Sequence, residues 1–353
     1  MTTFWKKKQF WGALIGIALL WYCVKDVRMA DIERLVDRVH TYYLLLALAM
    51  GFVFVLLKGL RWRLMVSQQK NVPVTRAVSL YSVGQLLAIV MPALTGQVGR
   101  VVLFSQKEGF RKTITFSTIV LEVLFDAVSL IVFMFLTSLF FAFPERYRYV
   151  SFLVAAITIA TLVALYLFLH FHSYLEELAR RTLRDRRPGL YIGTRKFLRS
   201  FTKGIEMLRS SQHLAGTLAF SLALWTAHML VAWFLIRAFA FPLPFAAAAV
   251  IMIVNTLVLM VPITPANAGT FEFAVSTSLA AFSVSRPDAV LFALALHLID
   301  LLPVFSFSYT FLHVDRATLK KIKTAHQEEP LLDRLDEEGA FIEEEKEKEK
   351  EKV

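Results

Sequence analysis

Ionisable side chains recur inside the apolar stretches of this chain. Glu122 and Asp126 stand four residues apart, so in a helix their carboxylates lie on one face, about 6 Å apart along the axis. His297 and Asp300 are one turn apart in the last apolar stretch. An ionisable group in hydrocarbon costs at least about 2.5 to 3.5 kcal/mol, so it must be paired or face a polar cavity. We therefore expect a polar internal site.

Two further charged residues, Arg100 and Glu272, end two interrupted motifs. With the two acids of the middle stretch and Asp300, this gives four carboxylates against one arginine, an excess of negative charge that low-dielectric surroundings oppose. Some of the acids must be protonated, salt-bridged to Arg61 or Arg63, or neutralised by a cation or a cationic headgroup. The sequence leaves these alternatives open.

Hydrolytic and metal chemistry has little support in the sequence. The eight histidines form no HExxH pattern, there is no GxSxG or GxxxxGK[ST] motif, and no His/Cys cluster occurs. Cys23 is the only cysteine, which excludes an internal disulfide and a multi-cysteine metal site. His170 and His172 stand at a membrane edge and are read as interfacial. We expect no metal site, no cofactor and no enzymatic activity.

The elements that position these residues are predicted to be membrane helices. Hydrophobic residues make up 57% of the 353 residues, against roughly 45 to 50% in a soluble domain. They fall into long runs separated by charged clusters, at 10–24, 42–57, 78–105, 113–143, 149–170, 214–236, 244–284 and 289–313. The first run follows three lysines but has no small-residue cleavage site, so it is read as an uncleaved first helix. The predicted fold is an all-α, polytopic integral membrane protein.

Two of the runs are interrupted by proline and glycine. The run 78–105 contains Pro92, Gly96 and Gly99, and the run 244–284 contains Pro262, Pro265 and Gly269. Proline stops the helical hydrogen-bond ladder and glycine permits tight turns, so each run is expected to divide into two half-helices around a loop.

Charge predicts how these segments are threaded. Basic residues flank both ends of 78–105, so both ends are expected in the cytoplasm and the segment forms a re-entrant hairpin. The second segment then enters from outside, although it could instead be two short full spans. The prediction is about six full transmembrane helices plus two broken, re-entrant hairpins in an inverted repeat, an arrangement that places a binding site near the midplane. The alternative is two unrelated kinks.

The predicted organisation is a membrane domain over 1–313 and a charged cytoplasmic tail over 314–353, with both termini cytoplasmic in the cell membrane. Within it, 171–213 is a basic cytoplasmic loop whose apolar residues recur at helical spacing, typical of an interfacial helix on anionic headgroups: Phe197, Leu198, Phe201, Ile205 and Leu208. The formal net charge of +11 indicates membrane orientation and contact with anionic lipids, not nucleic-acid binding.

Residues 84–100, the pair Glu122 and Asp126, and the motif Pro265-x-x-x-Gly269-x-x-Glu272 resemble the lysylphosphatidylglycerol synthase transmembrane (flippase-like) family of bacterial and archaeal membrane proteins. The resemblance covers roughly residues 10 to 313. It implies a polytopic protein that moves or handles lipid-linked molecules, including aminoacylated phospholipids.

The resemblance also assigns individual positions. The family's P-x-x-x-G-x-x-x-R stretch falls on Pro92, Gly96, Gly99 and Arg100, and its basic patch after the second span falls on Lys58, Arg61 and Arg63. The chain departs from the family in two places, with Gln97 where an acid is usual and Val123 where arginine often follows the glutamate. If those positions contact substrate, the headgroup differs from that of better-known relatives.

Three functions follow as hypotheses. The first is a translocase for a lipid or lipid-linked molecule, with an anionic headgroup bound at a polar site formed by the broken helices. The second is an intramembrane lipid-modifying transferase that uses Glu122 and Asp126 as acid and base. The third is a scaffold subunit for a separate lipid-modifying enzyme or glycosyltransferase. Some members carry an added soluble aminoacyl-transferase domain, and 314–353 is too short and too charged to fold as one.

Overall fold

A computed structural model describes residues 2–90, 94–139, 145–183, 188–205, 210–259 and 264–314, and every regular element in these ranges is helical. The twelve α-helices and one short 3-10 turn are, in order, α1 (Thr2–Val24), α2 (Met29–Val36), α3 (Thr41–Val66), α4 (Val74–Val90), α5 (Leu94–Glu108), α6 (Lys112–Ser138), α7 (Glu145–Leu183), α8 (Pro188–Ile205), α9 (Ser211–Ala238), α10 (Phe245–Leu259), the 3-10 turn (Pro265–Asn267), α11 (Thr270–Ala280) and α12 (Arg286–Val314). The all-α prediction is confirmed for this part of the chain.

Four helices, α3, α6, α9 and α12, are long and apolar enough to cross a membrane. Helix α7 bends by 63° between Phe168 and His170, and it adds a fifth candidate span if its two parts are taken together. Shorter apolar helices lie at Leu14–Val24, Val74–Val90 and Phe245–Leu259. The protein is therefore a membrane protein with several spans, while the count of about six stays a prediction.

The first break is narrower than the sequence predicts. Pro92 lies outside the described residues, and α5 already begins at Leu94, so Gly96, Gly99 and Arg100 are helical and do not form the expected loop. A proline ends the helix before it, but the residues after it are free to start the next one. At about 1.5 Å per residue, α4 is about 26 Å long and α5 about 22 Å long, each shorter than a hydrocarbon core of about 30 Å.

Helices α4 and α5 fold back on each other, so that the start of α4 lies beside the end of α5. Glu108 forms one ion pair with Lys70, at 3.0 Å, and another with Arg76. Arg76 also donates to the Lys107 carbonyl at 2.8 Å. These contacts join the two open ends of the pair in a clasp formed by Lys70, Arg76 and Glu108.

The second break lies between α10 and α11 and contains the 3-10 turn; Pro262 is outside the described residues. Pro265 opens the turn, and Gly269, the residue before α11, has φ 82°, a value that favours glycine. A Cβ at Gly269 would also meet the backbone of Gly16 and the side chain of Leu19. The first helix therefore packs directly against the second break, a contact that the sequence does not predict.

Close approach of small residues brings the central helices together. A Cβ at Gly59 of α3 would lie 2.7 Å from the Val78 Cα of α4, so only glycine allows this approach, as at many membrane helix contacts. Along its length α3 also packs on α9. Helices α9 to α12 share the largest apolar core, in which Ala247, Ala248 and Phe292 are fully buried.

Helix α8 lies in the basic segment 171–213 but does not offer a free apolar face. Leu198, Phe201 and Ile205 are buried, and Phe201 packs edge-on against Phe168 of α7 at 5.1 Å between ring centroids. Of the predicted face only Phe197 is exposed among the residues described, which end at Ile205. The described part of this face is buried against α6 and α7, while an interfacial position of the helix stays a prediction.

The far end of α7 carries a charge cluster outside the apolar part of the helix. Arg180 donates to Glu177 at 2.8 Å and Arg181 at 2.7 Å. The hydrogen bonds from Arg180, and then the one from Arg181, lower the pKa of Glu177 to about 2, because they favour the charged carboxylate.

Candidate functional site

The acid at position 126 is held by an arginine from another helix. Arg61 of α3 donates to the two Asp126 oxygens at 2.5 and 3.3 Å and to Ser221 Oγ at 3.0 Å. Trp225 Nε1 adds a third donor to Asp126 at 3.0 Å. The Arg61 side chain is fully buried, whereas 31% of the Asp126 side chain is exposed. One edge of this ion pair is therefore open.

The acid at position 122 has its own arginine. Arg100 Nη2 lies 2.5 and 2.7 Å from the two Glu122 oxygens, and Tyr81 donates to Glu122 at 3.3 Å. The Arg100 guanidinium also stacks over the Tyr81 ring at 4.4 Å. Both side chains of the ion pair are buried. Arg100 is the seventh residue of α5, so the free N–H groups of the helix start lie a turn away from it.

These two ion pairs neutralise two of the four predicted carboxylates. Of the alternatives that the sequence leaves open, Asp126 uses the salt bridge to Arg61. Arg63 lies elsewhere: its Nε donates to the Val72 carbonyl at 2.6 Å and its Nη2 to Asn71 at 2.9 Å. Arg63 therefore serves the turn between α3 and α4 and does not join the acidic group.

The second break holds a third acid. Glu272 Oε2 accepts from the Gly269 backbone N–H at 2.7 Å, which caps α11. Its other oxygen lies 2.7 Å from His297 Nδ1 of α12, and His297 Nε2 lies 3.1 Å from the Ala266 carbonyl. Phe271 stacks on the imidazole at 4.3 Å. Pro265 and Gly269 thus shape a turn that Glu272 and His297 fix in place.

The fourth acid, Asp300 of α12, pairs with a residue that sequence reasoning did not select. His228 Nε2 of α9 lies 3.3 Å from Asp300 Oδ2. The His228 ring stacks on Phe54 of α3 at 4.5 Å, and Lys58 Nζ sits over the same Phe54 ring at 4.2 Å. A cation, an aromatic ring and a histidine–carboxylate pair therefore lie side by side.

A cavity of about 490 Å³ lies among these groups. Asp126 and Asp300 line it, whereas the other predicted site residues of the described chain, namely Arg61, Arg63, Arg100, Glu122 and Glu272, are not among its lining residues. Both broken segments border it, with Gln85 of α4 and Asn267 of the 3-10 turn. Apolar side chains such as Leu130 and Val304 complete the wall.

Several polar cavity residues were missed as site residues. His228 and Asn255 stand inside apolar stretches, and the rule that a polar residue within a span marks a functional site would have found both. Lys58 follows the second apolar run, and the resemblance assigns it to the basic patch after the second span. Helix α3 continues to Val66, so Lys58 is still helical, and it lines the cavity. Gln85 also lines the cavity and donates to Tyr81 at 3.1 Å, which links the cavity to the buried Glu122.

Within the described ranges, no group of three or more His, Cys, Asp or Glu side chains is arranged to hold a metal ion. The free Cys23 is buried. The expectations of no metal and no cofactor stay predictions.

Comparison with known proteins tests the resemblance. The family model described as lysylphosphatidylglycerol synthase TM region matches residues 9–307, which is most of the chain and includes every residue that lines the cavity. No curated protein and no solved structure matches the chain. The chain belongs to the lysylphosphatidylglycerol synthase transmembrane-region family.

Proposed function

We propose that this protein is a translocase, without chemistry of its own, that moves a lipid or lipid-linked molecule between the leaflets of the cell membrane. The observation that carries the proposal is the cavity. It places ionisable and amide side chains between apolar helices, next to apolar walls that suit an acyl chain. Membership of a family of lipid-related membrane regions supports the same conclusion.

The headgroup that fits is anionic, and Lys58 is its first contact. Of the lysines and arginines in the described residues, Lys58 is the one that lines the cavity, while Arg61 and Arg100 are already paired with carboxylates. A phosphate that displaced Asp126 at the open edge of its ion pair would also accept hydrogen bonds from the Arg61 guanidinium. Arg100 does not line the cavity, and it is connected to the cavity residue Gln85 through Glu122 and Tyr81.

Re-entrant hairpins in an inverted repeat belong to the same proposal. The clasp at Glu108 and the short lengths of α4 and α5 support a hairpin whose two ends lie on the cytoplasmic side. Helix α11, about 16 Å long for 11 residues, is likewise too short to cross the hydrocarbon alone. That both broken segments border one cavity supports a shared site, as in transporters built from inverted repeats.

The transferase alternative has weaker support. An acid and base pair needs two carboxylates at the reacting atoms, but Glu122 does not line the cavity and is held by Arg100. A scaffold role for a separate enzyme is favoured by no contact in the described chain. Both alternatives remain outcomes of the experiment that follows.

The experiment reconstitutes pure protein in phosphatidylcholine vesicles that contain phosphatidylglycerol with a fluorophore on the acyl chain. Reduction of the outer fluorophores reports movement between leaflets, and mass spectrometry of the same lipids reports any new product. We expect movement without product. Lys58→Ala should slow movement at least tenfold and Lys58→Arg should restore part of it, because arginine keeps the charge on a different donor geometry.

Lys25→Ala is the matched control, since Lys25 is an exposed lysine that rests on Trp21 and Tyr22 away from the cavity. It should move lipid at the unaltered rate. A modified lipid made by pure protein given activated donors would replace the proposal with the transferase. If folded protein moves no tested anionic lipid and makes no product, the scaffold role is the hypothesis that remains.

A further inference from the structure

Two histidine–carboxylate pairs lie at the cavity, and they differ in how completely their hydrogen bonds are satisfied. In the first, both ring nitrogens of His297 face oxygen acceptors, Glu272 Oε1 at 2.7 Å and the Ala266 carbonyl at 3.1 Å. A charged ring serves both contacts, and so does a neutral ring whose Nδ1 accepts from a protonated Glu272 and whose Nε2 donates to the Ala266 carbonyl, so the pair carries no net charge in either case. Glu272 is in turn held by the Gly269 N–H. This pair is a fixed structural element.

The second pair is incompletely bonded. His228 Nε2 meets Asp300 Oδ2, but His228 Nδ1 and Asp300 Oδ1 are buried and have no hydrogen-bond partner in the structure. With Nε2 donating to the carboxylate, Nδ1 is a bare lone pair in the neutral ring and a donor in the charged ring. The contacts therefore do not fix the ring in one protonation state.

The charges around this pair decide what a bound lipid would do to it. From α3, Lys58 faces the pair across the Phe54 ring; from α6, Asp126 is neutralised by Arg61. On α12, His297 is neutralised by Glu272, and α10 contributes the uncharged Asn255. Lys58 and Asp300 therefore leave no net formal charge at the cavity when the His228 ring is neutral.

An anionic headgroup on Lys58 removes that balance, because it adds one negative charge to a low-dielectric site. We propose that His228 and Asp300 take up one proton for each anionic headgroup that enters, so that lipid and proton cross together. The proton adds to Nδ1 of His228 from solvent on one side and leaves to solvent on the other. This inference rests on the proposed translocation and supplies its energy source. The buried Glu122, held by Arg100, is a poorer proton carrier.

The test uses the vesicles described above, with a pH-sensitive dye inside and a potassium ionophore to clamp the membrane potential. A difference of one pH unit is a tenfold ratio of proton activity, so one proton per lipid shifts the leaflet ratio of labelled phosphatidylglycerol up to about tenfold. Reversing the gradient should reverse the shift. The dye should report proton entry only when the anionic lipid is present.

Variants locate the site. His228→Gln and Asp300→Asn should bring the leaflet ratio under the gradient back to that without a gradient, whatever rate of movement remains. His213→Gln is the matched control, because His213 lies on the same helix but bonds Ser210 and Gln68 at its cytoplasmic end; it should keep the full shift. Size-exclusion chromatography identifies any variant that does not fold. Even if a variant fails to fold, the wild-type leaflet ratio and dye signal still test the proton coupling.

Each outcome has a separate meaning. Wild-type protein that moves lipid with a silent dye and an unshifted ratio would overturn the proton inference and leave the translocase intact. Wild-type protein that moves no anionic lipid would overturn the proposed function itself. Folded His228→Gln and Asp300→Asn proteins that both keep the full shift would show that the proton binds elsewhere.

Discussion

Breaking the buried ion pair between Arg100 and Glu122 should destabilise the protein far more than breaking an exposed pair. The two side chains are 2% and 5% exposed, so removal of one partner leaves a charge with no solvent to screen it. The expected cost is about 3 to 5 kcal/mol for Arg100→Met or Glu122→Gln. The double variant leaves no orphan charge, and Tyr81 can still donate to the amide oxygen. Its cost should be no greater than that of either single variant.

The assay is a double-mutant cycle measured by reversible unfolding in mixed detergent micelles. We expect a coupling energy of at least about 2 kcal/mol for the buried pair. The pair between Arg34 and Asp31 is the matched control, since the Arg34 side chain is 54% exposed. Its cycle should give only about 0.3 to 0.5 kcal/mol.

Additive effects of Arg100→Met and Glu122→Gln would refute this reasoning. A second measurement separates stability from function. If Arg100→Met unfolds like the wild-type protein but no longer moves lipid, the guanidinium binds substrate directly, and its contact with Glu122 is only the resting state. The sequence predicts an anionic headgroup at a polar site formed by the broken helices, and Arg100 ends the first of them.

Three other predictions follow. Gly59→Ala should destabilise the protein by about 1 to 3 kcal/mol, because its Cβ would meet the α4 backbone, whereas Gly193→Ala, with open space around its Cβ, should be neutral or stabilising in the same unfolding assay. The Glu177 hydrogen bonds should stabilise the end of α7 above pH 4.5 and be lost as the pH falls towards about 2; carbon NMR of the carboxyl group measures the titration, and an unshifted pKa near 4.5 would contradict the contacts. Single cysteines at Gln69 and Lys107, in a cysteine-free background, should both resist an impermeant thiol reagent added outside cells, and outside labelling of Lys107 alone would replace the hairpin with a full span.

The sequence predicted a helical membrane protein with paired acidic residues inside it. Both follow from the free-energy cost of placing unpaired polar groups in hydrocarbon, which needs no knowledge of the tertiary structure. A run of apolar residues has one stable form in hydrocarbon, the helix. A carboxylate inside such a run must have a partner, and Asp126 and Glu122 each have one. A salt bridge to Arg61 was one of the alternatives that the sequence left open, beside protonation and neutralisation by a cation.

What the sequence did not predict depends on contacts between distant segments. Which arginine meets which acid is set by the packing of α3 and α5 on α6. Lys58 and His228 become neighbours only through the Phe54 ring between them. The apolar face of α8 is typical of an interfacial helix, and only the arrangement of α6 and α7 shows that it is covered. Periodicity reports that a face is apolar but not what lies against it.

The order of residues in the ion pair between Arg100 and Glu122 has a consequence for biogenesis. The arginine precedes its partner by 22 residues, and a lone arginine costs at least about 2.5 kcal/mol to place in hydrocarbon. At about 5 to 20 residues per second, the ribosome needs about 1 to 4 seconds to supply the glutamate. The α4 and α5 pair must therefore wait at the insertion machinery until α6 follows, so the three helices enter the bilayer as one unit.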